Sequence, residues 1–149
     1  MKIVVDGDAC PAKELIKELA KKYNIAVHIF VDSSHYFEDE FFEIHVVSKG
    51  NDAVDIALVN FMDKGDLIIT QDYGLASMAL TKTNYVINPL GFKYTLKNID
   101  ELLFKRHIAH KARRAGKGYT KNKKRTADNN ERFYETIESI LKSNSTGIV

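Results

Sequence analysis

The 149-residue sequence has one cysteine, two prolines and no tryptophan. A single cysteine excludes an intrachain disulfide framework, and a reducing cytoplasm is the expected compartment. No apolar run approaches the ~20 residues that a membrane-spanning helix needs. A signal-peptide pattern is also missing, because Asp6 interrupts the aliphatic run after Lys2. No membrane partner is therefore expected. Gly-x-Gly-x-x-Gly and Walker-type loops are absent, which argues against dinucleotide or nucleoside triphosphate binding by those routes. No His and Cys spacing suits zinc. Acidic residues disappear between Leu102 and Ala127, whereas Lys105–Arg125 carries ten of the 22 Lys and Arg residues. The rest of the chain holds 12 cationic against 20 acidic residues, so the formal charge of +2 conceals an acidic body with a basic extension.

The remaining composition is that of a globular chain, 44% hydrophobic and 28% charged, long enough for one domain with its own core. Lys2–Val5 reads as a buried parallel strand that runs into Asp6 and Asp8, and Pro11 opens a helix. Ala12, Leu15, Ile16, Leu19, Ala20 and Tyr23 form one helical face, and Asn24 closes it. Ile25–Val31 is a second strand, so the opening is a βαβ unit. Asp32–Asp39 reads as a connecting loop, and Glu43–Val47 as a third strand. His28 and His45 fall within these strands and are expected to be ordinary sheet residues rather than ligands. Val54, Leu58, Phe61 and Met62 mark a second helix with Asp52 and Asp55 in its first turn. Asp66–Thr70, a short helix through Leu80, and Tyr85–Ile87 complete a sheet of about five mostly parallel strands. A turn is expected at Asn88–Gly91, a helix from Asn98 to about Ala115, and a last helix opened by a capping box at Asp128–Glu131. The expected fold is an α/β domain over 1–97. Residues 98–149 form a helical extension packed on it, with its basic segment at 105–125.

Ligands of open α/β sheets collect beyond the carboxyl ends of the strands. Asp6 and Asp8, Asp52 and Asp55, and Asp72 all fall at that edge. Each could singly be a helix cap. Together they form a set that repels itself unless a hard cation compensates it, and Mg²⁺ or Mn²⁺ takes such oxygen ligands. Lys49, Thr70 and Gln71 stand nearby as candidates for contact with a phosphate. Arg106, Lys111, Arg113, Arg114, Lys117, Lys121, Lys123, Lys124 and Arg125 form a cationic run suited to a nucleic-acid backbone, with RNA as the expected partner.

The motifs Val-Asp6-Gly-Asp8-Ala-Cys-Pro11, Asp52-x-x-Asp55, Ile-Thr70-Gln-Asp72-x-x-Leu-Ala76, Asn88-Pro-x-Gly91, Tyr94-Thr95 and Asn98-Ile99 resemble the YaiI/YqxD family of uncharacterised bacterial proteins. Asp6-Gly-Asp8 stands where many members have Asp-Ala-Asp. The resemblance implies a PIN-like fold, a three-layer α/β/α nuclease architecture in which acids at the sheet edge hold Mg²⁺ or Mn²⁺. By position, those acids would be Asp6, one or both of Asp52 and Asp55, and Asp72. Tyr73 and Gly74 occupy the place where PIN-type sites commonly carry a further carboxylate. The expected activity is metal-dependent hydrolysis of phosphodiester bonds, in RNA. One alternative is a non-catalytic RNA-binding protein on the same shell. Another is a haloacid dehalogenase-like phosphatase, since Ile-Val-Val-Asp6-Gly-Asp8 also resembles its first motif, with Asp6 as nucleophile and Asp8 as general acid.

Overall fold

Strand β1 (Ile3–Asp6) is covered on both faces, and Ile3, Val4 and Val5 are fully excluded from solvent. This is the aliphatic, two-sided burial characteristic of a central parallel strand. The computed structural model describes residues 1–7, 10–50, 52–116 and 124–145. In chain order the elements are β1, α1 (Lys13–Tyr23), β2 (Val27–Asp32), β3 (Glu43–Val47), α2 (Ala53–Phe61), β4 (Leu67–Ile69), α3 (Tyr73–Ala79), β5 (Tyr85–Ile87), α4 (Leu96–Arg114) and α5 (Ala127–Ser145). The five strands pair in parallel in the order β3-β2-β1-β4-β5. The order reverses between β1 and β4, and the helices of the two halves accordingly fall on opposite faces. Helices α1 and α5 cover one face with Ile16, Leu19, Phe133, Ile137 and Leu141. Helices α2, α3 and α4 cover the other with Val54, Leu58, Leu75, Ala76 and Ile99. The expected three-layer α/β/α architecture is present. No helix among the described residues is long and apolar enough to cross a membrane.

Several boundaries differ from the sequence pattern for local reasons. Ile25 does not open β2, because its N–H bonds Ala20 O at 2.9 Å and finishes the helix that Asn24 ends in a left-handed conformation. Helix α4 begins two residues before Asn98. Thr95 and Asn98 form its capping box, with Asn98 at the third helical position. The box at α5 is likewise earlier than Asp128–Glu131. Thr126 Oγ1 accepts the Asn129 N–H at 3.2 Å, and Asn129 Oδ1 accepts the Thr126 N–H at 3.0 Å. In both helices asparagine takes the partner position that glutamate or glutamine usually fills in a capping box. The parallel connection from β2 to β3 contains no helix. Phe37, Phe41 and Phe42 from this loop pack on the α1-side core in its place, and Lys17 holds Asp39 at 2.8 Å.

The turn at Asn88–Gly91 closes through a 2.8 Å bond from Gly91 N to Asn88 O and supports α5. Gly91 has φ of +102°, and a Cβ there would lie 2.8 Å from both Arg132 C and Phe133 N. Thr136 Oγ1 also donates to Gly91 O at 2.7 Å. Gly91→Ala is expected to destabilise the fold by roughly 1–3 kcal/mol, measured as a lowered urea midpoint.

Candidate functional site

The reversal between β1 and β4 opens a crevice at their carboxyl ends, and acidic side chains from three separate elements enter it. Asp6 ends β1, Asp55 lies in the first turn of α2, and Asp72 precedes α3; all three line one cleft of about 750 Å³. Thr70 joins two of them. Its Oγ1 donates to Asp6 Oδ2 at 2.9 Å and accepts the Asp72 N–H at 3.0 Å. Asp72 caps α3, with Oδ1 accepting from Gly74 N at 2.8 Å and Leu75 N at 3.2 Å. The cap interpretation of Asp72 is therefore correct, and the same residue also faces the cleft. Asp55 lies within side-chain hydrogen-bonding reach of Asp72.

The support beneath these acids was not evident from residue spacing. Tyr94 is buried; its hydroxyl donates to Thr70 O at 3.1 Å and accepts from Asn88 Nδ2 at 2.7 Å. This chain fixes the backbone from which Thr70 orients Asp6. Gly7 lets the end of β1 lie against β2. Its N–H reaches Phe30 O at 2.8 Å, and a Cβ there would come within 2.3 Å of Ile29 Cγ2. The glycine of Asp6-Gly-Asp8 thus has a steric reason in this chain.

The other expected site residues are more scattered. Asp52 sits at the start of α2 with φ of 64°, is exposed, and makes no side-chain cap bond. Lys49 is exposed and does not line the cleft. Thr70 is 1% exposed, with its hydroxyl committed between Asp6 and Asp72 rather than offered to a ligand. Gln71 lines the cleft. From α4, Lys105, Arg106 and Arg113 line the opposite wall, and Arg106 Nη1 lies 3.8 Å from Asp72 Oδ1. Lys111 and Arg114 are exposed and do not line this cleft. Lys124 and Arg125 line a neighbouring cleft that shares Gln71 and Tyr73 with the first. Arg125 also serves the fold, donating from Nη1 to Pro89 O at 2.6 Å and lying 5.5 Å above the Phe133 ring. Asp8, Lys117, Lys121 and Lys123 lie outside the described residues. Cys10 is buried, and that burial pushes its thiol up, away from the reactive thiolate.

A second polar group departs from expectation. His28 and His45, expected to be unremarkable sheet residues, converge with Glu43 on the α2 side of the sheet edge, and this is the tight three-donor grouping among the described residues. The cleft carboxylates are a looser set.

Comparisons with known proteins agree with the motif resemblance. The model of the family described as uncharacterized BCR, YaiI/YqxD family matches residues 4–143. A UPF0178 protein of Alkaliphilus oremlandii is 46% identical over 97% of this chain and 93% of its own. One from Ruminiclostridium cellulolyticum is 44% identical over 99% of this chain and 96% of its own. Another from Lachnoclostridium phytofermentans is 46% identical over 98% of this chain and all of its own. No solved structure matches.

The electrostatic consequence of the cleft is concentrated on Asp55. Burial, followed by the charges of Asp72, Asp6 and Asp52, pushes its carboxyl up to about 6. The folded chain thus retains a proton that the unfolded chain releases near the ordinary value of 3.8. Asp55 therefore contributes full stability below that value and loses its contribution as pH rises through about 6. Asp55→Asn should remove this part of the pH dependence. In metal-free buffer it should raise the thermal midpoint at neutral pH by a few degrees, with little change near pH ~4. Melting curves of both chains across that range measure the difference.

Proposed function

The chain belongs to the YaiI/YqxD family, and we propose that it is a PIN-like, divalent-metal-dependent nuclease that hydrolyses phosphodiester bonds in RNA. The observation that carries this reading is the meeting of Asp6, Asp55 and Asp72 in one cleft faced by Lys105, Arg106 and Arg113. An all-oxygen donor set suits Mg²⁺ or Mn²⁺, which keep several waters and need few direct carboxylates, so a looser set is acceptable. The raised carboxyl of Asp55, caused by burial and by the charges of Asp72, Asp6 and Asp52, marks the excess negative charge that a cation would relieve. When bound, the ion supplies charge stabilisation at a phosphate oxygen and lowers the pKa of water.

The chain's own residues divide the remaining work. Thr70 holds Asp6 in place, and the α3 backbone holds Asp72, so neither carboxylate needs to reorganise when substrate arrives. Asp55 completes the acidic set. Arg106 compensates Asp72 in the free protein and turns to a phosphate when RNA enters. Lys105 and Arg113 extend that contact along α4. On the other side of Tyr73, Lys124 and Arg125 line the adjoining cleft, so the strand crosses the acids with cations on both sides. Such contacts position a backbone without reading its bases.

With Mn²⁺ or Mg²⁺ the native chain is expected to cut single-stranded RNA, with activity abolished by chelation. Asp6→Asn and Asp72→Asn should each lower the rate at least about 100-fold while leaving RNA affinity largely intact. Arg106→Ala and Arg113→Ala should weaken RNA binding and reduce its salt slope by roughly 0.7 per lost contact. RNA that is bound but left uncut under either metal would replace the nuclease reading with the non-catalytic RNA-binding one.

A further inference from the structure

At the other end of α2 from Asp55, two histidines and a glutamate meet on the rim of the sheet. We propose that His28, Glu43 and His45 form a second metal site, independent of the nuclease reading, that takes a borderline divalent cation such as Zn²⁺ or Co²⁺. The parallel register places His28 directly beside Glu43, and Phe30 beside His45. Alternation along the two strands then puts all three polar side chains on the face covered by α2. His28 Nδ1 lies 3.0 Å from His45 Nε2 and 3.2 Å from Glu43 Oε2, and all three donor atoms fall within 4.8 Å of one another. Bonds of about 2.0–2.1 Å to a tetrahedral ion separate its ligand atoms by roughly 3.3 Å, so these donors need only small shifts to share one.

The surroundings favour a built site over a chance approach. The His45 ring stacks on Phe30 at 4.4 Å between centroids and only 3° from parallel. Phe61, at the end of α2, contacts both imidazoles at 4.8 and 4.9 Å. Apolar rings therefore hold the histidines in place, as a preorganised ligand pair requires. Glu43 is 67% exposed at its side chain, which gives a cation a route from solvent and leaves a coordination position for water. Three protein ligands with one open position is a familiar arrangement for zinc. Two imidazole nitrogens select it and its neighbours over magnesium. Residues Asp55 and Phe61 are six apart, about 9 Å along the helix, so this site and the acidic cleft occupy opposite ends of α2. An ion here would bind only the folded chain and would clamp edge strand β3 to β2.

Full-length metal-free protein titrated with Zn²⁺ by calorimetry, and with Co²⁺ by visible absorption, tests the assignment. One equivalent should bind, with Co²⁺ bands of a four-coordinate nitrogen–oxygen site that excess Mg²⁺ does not remove. Glu43→Gln changes only an exposed side chain and should weaken Zn²⁺ binding by more than about tenfold, as should His45→Gln. The Asp6→Asn/Asp72→Asn double variant should retain it. The site is overturned if the native chain takes up no Zn²⁺, if Glu43→Gln and His45→Gln bind as the native chain does, or if the double variant loses the ion. Retained Zn²⁺ binding without RNA cleavage would remove the nuclease reading alone.

Discussion

The hydrogen-bonded pairing of β1 with β2 on one side and β4 on the other is the constraint from which the rest of this structure follows. Ile3, Val4 and Val5 have no route to solvent, so β1 must lie at the centre of the sheet. From β1 the chain continues outward through β2 and β3 before returning to build β4 and β5 on the other side. The reversal opens a crevice at the end of β1, and the first polar residue after the buried run, Asp6, is held there. A strand of three aliphatic residues and a terminal aspartate thereby determines where charged chemistry can occur. The two faces of the sheet also take different tasks. The α1–α5 face is a conventional apolar core, whereas the other carries the acidic cleft and the histidine group in addition to its core.

The cleft is a place where favourable packing and unfavourable electrostatics coexist. Burial, followed by the charges of Asp72, Asp6 and Asp52 that strand and helix geometry bring near, raises the proton affinity of Asp55. The fold tolerates this because each neighbour has local compensation. Asp6 has the Thr70 hydroxyl, while Asp72 has two backbone amides and a guanidinium at longer range. Sites that store such tension are ordinarily functional, since a fold under selection for stability alone would discard them. The basic wall of α4 has a related origin. Beyond Leu103 the helix has little core to bury, and Lys105, Arg106 and Arg113 line the cleft that holds the acids.

Much of this was legible from the amino-acid order. Five strands, their parallel sense and the helix between most of them follow from short aliphatic runs separated by helical stripes. Asp6 and Asp8, Asp52 and Asp55, and Asp72 stood out because they follow a strand or open a helix, with no ground in the sequence for choosing among them. Other features resisted the same reading. The β2–β3 loop looks polar at its start, so its core-filling role through Phe37, Phe41 and Phe42 had no periodicity to reveal it. The capping boxes at Thr95 and Thr126 use asparagine in the partner position, a weaker signal than glutamate. His28 and His45 sit seventeen residues apart on different strands, and no local spacing identifies such a pair.

Taken alone, the sequence determined the parallel α/β class, the polarity of each element and the acids that occupy the strand ends, because those depend on local hydrophobic period and on residue type. It also determined the separation of an acidic body from a cationic segment, which is a matter of composition. Only the tertiary structure decided that Asp55 enters the cleft while Asp52 remains outside it. It alone made Thr70 a support for Asp6, Tyr94 a support for Thr70, and His28 a neighbour of Glu43 and His45. The physical reason is that these relations arise from strand order, register and helix docking. Each joins residues far apart along the chain, through contacts of a few ångströms that no linear spacing encodes.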